Sequence, residues 1–144
     1  MQITSPAFRH NELIPSKYTC EGANINPPLE IEGIPENTVS LALIIDDPDA
    51  PGRTWDHWIV WNIEPTNKIE ENSVPGIQGR NSWDKNTYGG PCPPSGTHRY
   101  FFKLYALDAE LNLSENSTKH DVEKAMQPHI ISKAELIGLY RKQN

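Results

Sequence analysis

The sequence predicts a mainly β protein with a single domain covering residues 1–144. Thirteen prolines and nine glycines stand against 36% hydrophobic residues, which indicates many turns around short regular elements. Short runs of β-branched and aromatic residues, bounded by Pro and Gly clusters, are typical of strands. A chain of 144 residues is also long enough to bury one sizeable core.

Three strands are indicated in the middle of the chain. They run from Val39 to Asp46, from His57 to Ile63 and from Arg99 to Leu107. The first two do not alternate cleanly between apolar and polar residues, so we expect both of their faces to be covered. The polar, Gly- and Pro-rich segment from Pro65 to Pro94 is too long for a simple connector. It is either a functional loop, most of all near its end, or it contains short strands.

Two helices are predicted in the last quarter of the chain. Thr118 with Asp121, and Ser132 with Glu135, each fit the capping-box pattern of a helix start. The apolar stripes that follow are Val122, Ala125, Met126 and Ile130 in the first helix, and Leu136, Ile137 and Tyr140 in the second. We expect the first helix to end near Pro128.

Charge and composition exclude several classes of protein. The formal net charge is -6 and the cations are not clustered, which argues against a nucleic-acid partner. The first residues form neither a basic leader nor an apolar signal region, and no apolar run approaches membrane-spanning length. We therefore expect a cytoplasmic location with no membrane span. Cys20 and Cys92 are predicted to be thiols, with a single disulfide as the alternative.

The candidate functional residues lie at the ends of the predicted strands. Asp47 and Asp49 follow the first strand and should project to one side, because side chains alternate in an extended chain. His57 opens the second strand, and His98 and Tyr100 share one face of the third strand. Two imidazoles, a phenol and a carboxylate are therefore expected near one another.

A Gly- and Pro-rich loop, residues 88–97, precedes the third strand. Gly89 and Gly90 let the backbone approach a ligand closely, whereas the prolines stiffen the rim and remove competing donors. The loop therefore predicts a cradle for a small anion.

These segments resemble the phosphatidylethanolamine-binding protein family, in its bacterial and archaeal branch of Raf kinase inhibitor-like proteins. The resemblance rests on Asp47-Pro-Asp-Ala-Pro51, His57-Trp58 and Gly90-Pro-Cys-Pro-Pro-Ser-Gly-Thr-His-Arg-Tyr100, and it extends to Tyr18–Leu29. It implies a central antiparallel sheet, a second smaller sheet packed on it, and carboxyl-terminal helices. It also implies a pocket for phosphate, phosphorylethanolamine, acetate or a similar anion, such as a phospholipid head group.

The resemblance further implies which residues bind the ligand, with no catalytic residue, no metal and no cofactor. The expected ligand-binding residues are Asp47, Asp49, His57, Gly90, Pro91, Cys92, Pro93, His98 and Tyr100, with Pro51 shaping the wall. Asp47 would accept a hydrogen bond from an imidazole and fix its tautomer. His57, His98 and Tyr100 would donate to ligand oxygens.

Three other function classes are alternatives to anion binding alone. A metal-dependent hydrolase would use Asp47, His57 and His98. A serine hydrolase is disfavoured because no Gly-x-Ser-x-Gly elbow is present. An interaction protein would use a rim of exposed aromatic residues, Trp55, Trp83 and Tyr88, to bind a kinase or a serine protease, and this role is compatible with anion binding.

Overall fold

The computed structural model describes residues 1–144 and is mainly β, as the sequence predicts. Its strands are β1 (Gln2–Thr4), β2 (Glu12–Leu13), β3 (Leu29–Glu32), β4 (Ser40–Asp47), β5 (Trp55–Ile63), β6 (Lys68–Ile69), β7 (Ile77–Gln78), β8 (His98–Leu107) and β9 (Ile130–Tyr140). One α-helix, α1 (Lys119–Met126), and two short 3₁₀ turns, Ser16–Tyr18 and Gln127–His129, complete the regular structure.

The strands form two sheets. The larger sheet has the order β2-β9-β8-β4-β5-β7, and all of its neighbouring pairs are antiparallel except β2 with β9. The smaller sheet has the order β1-β3-β6. This arrangement confirms the predicted central antiparallel sheet with a second, smaller sheet.

The three predicted strands are confirmed as β4, β5 and β8, with ends that differ by one or two residues. They lie side by side, with β4 paired to both of the others. The segment from Pro65 to Pro94 contains the short strands β6 and β7, and its remainder is irregular. Because neighbouring strands are antiparallel, the C-terminal end of β4 and the N-terminal ends of β5 and β8 lie together at the same end of the sheet.

The core has two layers, one on each face of the large sheet, as the uniformly apolar strands predict. One layer fills the space between the sheets and includes Leu43, Val60 and Phe102. The other lies under α1 and includes Ile44 and Trp61. Since successive side chains of a strand point to opposite faces, β4 and β5 each supply both layers.

The first predicted helix is confirmed, and the second is wrong. Helix α1 begins after Thr118, whose backbone N–H donates to the Asp121 carboxylate at 3.0 Å. Residues 130–140, however, form β9, which pairs antiparallel with β8 from His98 to Leu107. The apolar residues of this segment fit a helical pattern and an alternating pattern alike. The structure shows the alternating one, because Leu136, Gly138 and Tyr140 are buried and the residues between them are partly exposed. Pairing with β8 satisfies the backbone groups that β8 would otherwise expose at an edge.

No helix of the protein has the length and apolar character that crossing a membrane requires.

Candidate functional site

A pocket of about 590 Å³ opens where β4 ends and where β5 and β8 begin. The residues that line it are Cys20, Asn24, Asp47, Ala50, Pro51, Trp55, His57, Asn81, Trp83, Lys85, Thr87, Tyr88, Gly89, Gly90, Cys92, Pro93, Pro94, His98 and Tyr100. Most of the residues predicted from the sequence therefore meet in one cavity. Asp49 and Pro91 are the two that do not line it.

Asp47 and His98 form a buried pair on the pocket wall. Nδ1 of His98 lies 2.6 Å from Oδ2 of Asp47, and both side chains are almost fully buried. A carboxylate that accepts from one imidazole nitrogen fixes the orientation of the ring. Nε2 of His98 makes no hydrogen bond within the protein, so it is the nitrogen that is left to meet a ligand. The histidine that Asp47 orients is thus His98.

His57 reaches the pocket because β5 is irregular at this residue. Ile45 of β4 pairs with Trp58, whereas the next residue, Asp46, pairs with Asp56, so His57 is left without a partner in the register. Bulges of this kind re-aim side chains. Nδ1 of His57 lies 2.7 Å from the carbonyl oxygen of Gly89. Since a carbonyl only accepts, Nδ1 carries the proton in the neutral ring, and Nε2 carries none.

Burial lowers the pKa of His57 below its ordinary value, against the smaller opposing effect of the Gly89 hydrogen bond and of nearby carboxylates. The buried ring is therefore neutral around neutral pH. A negative ligand beside Nε2 would favour the protonated ring and turn this nitrogen into a charge-assisted donor.

Tyr100 stands between the two histidines and has an unpaired hydroxyl. Its ring centroid lies 5.2 Å from that of His57, edge to face, and 6.5 Å from that of His98. The residue is 1% exposed, and its hydroxyl makes no hydrogen bond of normal length and angle within the protein. Burial, and then the charge and hydrogen bonding of the nearby Asp47 carboxylate, raise the pKa of Tyr100 well above its ordinary range, against a smaller opposing effect of the Cys92 backbone. The hydroxyl is therefore protonated, and Asp47 competes with a ligand for its hydrogen.

The loop from Tyr88 to Pro94 is tied to the segment around Cys20. The backbone N–H of Gly90 donates to Oδ1 of Asn24 at 2.8 Å, and that of Cys20 donates to the carbonyl of Pro91 at 3.1 Å. Gly90 lies so close to Tyr18 and Thr19 that a Cβ would overlap their backbone. Here glycine serves close packing between two loops. The amide of Gly90 is consumed in this contact and does not point at a ligand.

Cys20 and Cys92 form a disulfide, which corrects the prediction of two thiols. Their Cα atoms are 5.5 Å apart, although 72 positions separate them in the sequence. The number and spacing of the cysteines do not predict that the two residues are close in space, because their proximity arises from the contact between the two loops. Both cysteines line the pocket, and Cys20 is exposed.

Asp49 and Pro91 have roles outside the cavity. The Asp49 carboxylate binds the Arg99 guanidinium, with contacts of 2.8 and 2.9 Å, and this hydrogen bonding lowers the pKa of Asp49. Asp47 points inward and Asp49 outward, so the expectation that both project to one side is wrong. The turn between them explains this difference, because the N–H of Asp49 donates to Oδ1 of Asp47. Pro91 is buried behind the rim and supplies its carbonyl to Cys20.

The three aromatic residues predicted at the rim differ in exposure. Trp83 is 40% exposed and Trp55 is half-buried, and both line the pocket. Tyr88 is buried, packs on Trp58 and donates its hydroxyl to the carbonyl of Tyr18 at 2.7 Å. Tyr88 is therefore part of the core and not of an exposed surface, because its phenol satisfies a backbone acceptor of the neighbouring loop.

Sequence reasoning missed Asn24, Asn81, Lys85 and Thr87 as lining residues. Asn81 is buried, and its Oδ1 accepts the backbone N–H groups of Trp83 and Lys85. An Asn that holds a turn in this way is a known signal of loop structure. It could have marked this loop as ordered, but not as part of the pocket, since that depends on packing between distant segments.

No group of three or more His, Cys, Asp or Glu side chains is arranged to hold a metal ion. Asp47, His57 and His98 do line one pocket. The carboxylate of Asp47, however, is bonded to His98, and Nδ1 of His57 is directed at a backbone carbonyl. The three side chains therefore present two separate Nε2 atoms and not a joint set of ligands.

Comparison with known proteins places this architecture in a family. Residues 4–141 match the family model described as phosphatidylethanolamine-binding protein. A UPF0098 protein of Methanothermobacter thermautotrophicus is 49% identical, with 99% of each chain covered. A homologue of phosphatidylethanolamine-binding proteins from Chlamydia trachomatis has a TM-score of 0.95 and 42% identity, covering 99% of this chain and 97% of its own. YbcL of E. coli, described as a member of the mammalian family, has a TM-score of 0.91 and 32% identity, covering 99% and 98%. The chain therefore belongs to the phosphatidylethanolamine-binding protein family.

Proposed function

We propose that this protein binds a small oxyanion, namely phosphate or the phosphate group of a phosphomonoester or phospholipid head group, and does not act as an enzyme. The observation that carries the proposal is the Tyr100 hydroxyl, which is buried in the pocket without a hydrogen bond of normal length and angle in the protein. An unpaired buried donor costs about 1–3 kcal/mol. A ligand oxygen at this position would recover that cost.

The two histidines supply the remaining donors. Each has Nδ1 bound to an acceptor of the protein, Asp47 for His98 and the Gly89 carbonyl for His57. Each therefore offers only Nε2 to the pocket. An oxyanion requires a proton on Nε2, so binding to the neutral ring of His57 takes up a proton from solution. Asp47 places a negative charge in the same wall, where its Oδ2 is bonded to Nδ1 of His98.

Binding without catalysis is supported by the lack of a free serine or cysteine in the lining. No serine lines the pocket, and the two cysteines that line it are joined in the disulfide. A serine or thiolate nucleophile activated by His57 or His98 is therefore not available. The metal-dependent hydrolase is the alternative proposal. Binding measurements with Zn²⁺ and Mn²⁺, with and without phosphate, separate it from anion binding.

A regulatory role towards a kinase or a serine protease, and a cytoplasmic location, remain predictions. A pull-down with and without phosphate tests the first. The exposed Cys20 makes the location testable as well, because disulfides are rare in the cytoplasm of mesophiles and occur in oxidising compartments and in hyperthermophiles. Thiol trapping in intact cells reports the redox state of this pair directly.

Calorimetric titration with inorganic phosphate tests the central proposal. We expect the affinity for phosphate to fall as pH rises from about 6 to about 8. The fall should be roughly tenfold per pH unit for each proton that is taken up on binding. Because phosphate itself titrates in this range, sulfate serves as a second probe that keeps its charge. Repeating the titration in buffers with different heats of ionisation counts the protons taken up.

Two variants sharpen this experiment. His98→Ala removes one Nε2 donor and should weaken phosphate binding at least tenfold. His129→Ala is the matched control, because His129 also pairs with an aspartate, Asp108, at 2.8 Å but lies on the surface outside the pocket. Equal affinity at both pH values for sulfate, or an unchanged affinity in His98→Ala, would contradict the proposal.

A further inference from the structure

The pocket is larger than an oxyanion needs. Its volume of about 590 Å³ falls in the range of about 300–1,000 Å³ that is typical of sites for drug-sized ligands. The donors for an oxyanion, His57, His98 and Tyr100, are close together and occupy one part of it. The rest of the lining includes six apolar residues, Ala50, Pro51, Trp55, Trp83, Pro93 and Pro94, together with the polar residues Asn24, Asn81, Lys85 and Thr87. A bound phosphate would leave this part of the cavity free for the rest of a larger ligand.

Trp83 is the most exposed large aromatic side chain of this wall, and it is held in place on three sides. Its ring lies edge to face with Trp55 at a centroid distance of 5.6 Å and with His57 at 5.0 Å. Its benzo ring also covers Gly89, where a Cβ would overlap it. Glycine is thus required at residue 89 for Trp83 to occupy this position.

The loop that carries Trp83 is equally ordered. Oδ1 of Asn81 accepts the backbone N–H of Trp83 at 2.9 Å and that of Lys85 at 3.1 Å, and Nδ2 donates to the carbonyl of Thr87 at 2.8 Å. A buried side chain that bonds three backbone groups leaves the loop little freedom. Trp83 is therefore presented to the pocket mouth in one orientation, which lowers the entropy cost of binding a ligand against it.

We propose that Trp83 and Trp55 form a subsite for the ester group of a phosphomonoester and that this group is an aromatic ring. The inference rests on the proposed function, because the phosphate is placed at His57, His98 and Tyr100. The ring contact between His57 and Trp83 puts the subsite directly beside a phosphate donor. A ring bonded to the ester oxygen can therefore reach it. Aromatic pairs gain from edge-to-face and offset-stacked contacts beyond the area they bury, which favours an aryl over an alkyl group.

Calorimetry at about pH 6 with four probes tests this subsite. The probes are inorganic phosphate, methyl phosphate, cyclohexyl phosphate and phenyl phosphate. We expect phenyl phosphate to bind about tenfold more tightly than methyl phosphate and severalfold more tightly than cyclohexyl phosphate. Trp83→Ala should abolish the preference, so that phenyl phosphate and methyl phosphate bind this variant with equal affinity. Trp83→Phe should keep most of the preference, and Trp55→Ala should lose part of it.

The control variant is Val74→Ala, which shortens another exposed apolar side chain outside the pocket and should change none of the affinities. If no probe binds, the proposed function itself fails, and this inference fails with it. If phosphate binds and phenyl phosphate is no tighter than methyl phosphate, only the subsite is overturned. Equal binding of cyclohexyl and phenyl phosphate would overturn its aromatic character. A Trp83→Ala variant that weakens phosphate and phenyl phosphate alike would overturn the assignment of Trp83 to the ester group.

Discussion

Among single residues, Tyr100 has the clearest conflict between stability and binding. Its hydroxyl is buried without a protein partner, in a wall shared with His57 and His98. We expect Tyr100→Phe to weaken phosphate binding by about 0.5–1.5 kcal/mol at any pH, since one neutral donor is lost. The same change should raise the free energy of unfolding by about 1 kcal/mol, because it removes an unpaired polar group from the interior.

Calorimetry and urea unfolding measure these two effects. Tyr105→Phe is the matched control, because Tyr105 lies on the same strand and packs against the layer under α1. It should leave phosphate affinity unchanged. A Tyr100→Phe protein that is less stable than the wild type would mean that the hydroxyl is paired in the unliganded protein, and the main support for the site would be lost.

Asp47 acts on the ligand through His98. Asp47→Asn removes the carboxylate that fixes the orientation of this ring, so it should weaken phosphate binding severalfold. Asp49→Asn is the control, because that carboxylate pairs with Arg99 outside the pocket. Titrations at about pH 5.5 and 7.5 distinguish the two variants. Tighter binding in Asp47→Asn at neutral pH would show that Asp47 mainly repels the anion, and the ligand would then carry a cationic group.

At the scale of elements, the irregularity of β5 and the length of β9 shape the pocket. The unpaired residue in β5 is His57, which lies against the Tyr100 ring as a result. Strand β9 covers the open edge of β8 over its whole length, from His98 to Leu107. His98 and Tyr100 are thus fixed by pairing with β9 on one side of β8, since the pairing of β8 with β4 begins only at Phe101. Rigid strands hold site residues more accurately than loops do.

Gly138 distinguishes a strand from a helix in residues 130–140. It pairs with Tyr100, and a Cβ here would lie 2.6 Å from side-chain atoms of Ile14 and 2.8 Å from Cε2 of Phe8. We expect Gly138→Ala to lower the free energy of unfolding by about 1–3 kcal/mol through overpacking. In a helix the same change would be stabilising by about 1 kcal/mol. The sign of the change in unfolding free energy, measured by urea unfolding, therefore decides between a strand and a helix. Lys133→Ala, at an exposed residue of the same strand, is the control.

For the whole molecule, the disulfide links two segments that the chain separates widely. Cys20 and Cys92 close a loop across 72 positions. Closing a loop of this length removes unfolded-state entropy worth roughly 4 kcal/mol. We expect the double variant Cys20→Ser, Cys92→Ser, and the wild type with reductant, to lose up to about that much unfolding free energy.

Urea unfolding of oxidised, reduced and double-variant protein measures this contribution. The reduced wild type and the double variant should agree with each other, which is the internal control. Identical stability of all three samples, together with two reactive thiols under denaturing, non-reducing conditions, would restore the prediction of two thiols.

The mainly β fold, the three central strands, the first helix and most of the pocket residues could be predicted from the amino-acid sequence. These are features of local pattern or of a family resemblance: apolar runs between turn residues around β4 and β5, a capping box at Thr118, and polar groups at strand ends. It also identified Asp47 as a partner for an imidazole. The order of the strands places their ends together, so residues that are near strand ends in the chain become neighbours in space.

The features that depend on contacts between distant segments could not be predicted from the sequence. Residues 130–140 satisfy a helical and an alternating pattern alike, and the open edge of β8 decides for the strand. The disulfide follows from loops that pack together around Gly90. Which histidine Asp47 holds, the inward direction of His57, and the position of Trp83 over Gly89 are likewise set by packing. A local pattern constrains the backbone within a few residues, whereas these features are fixed by neighbours that the chain brings from far away.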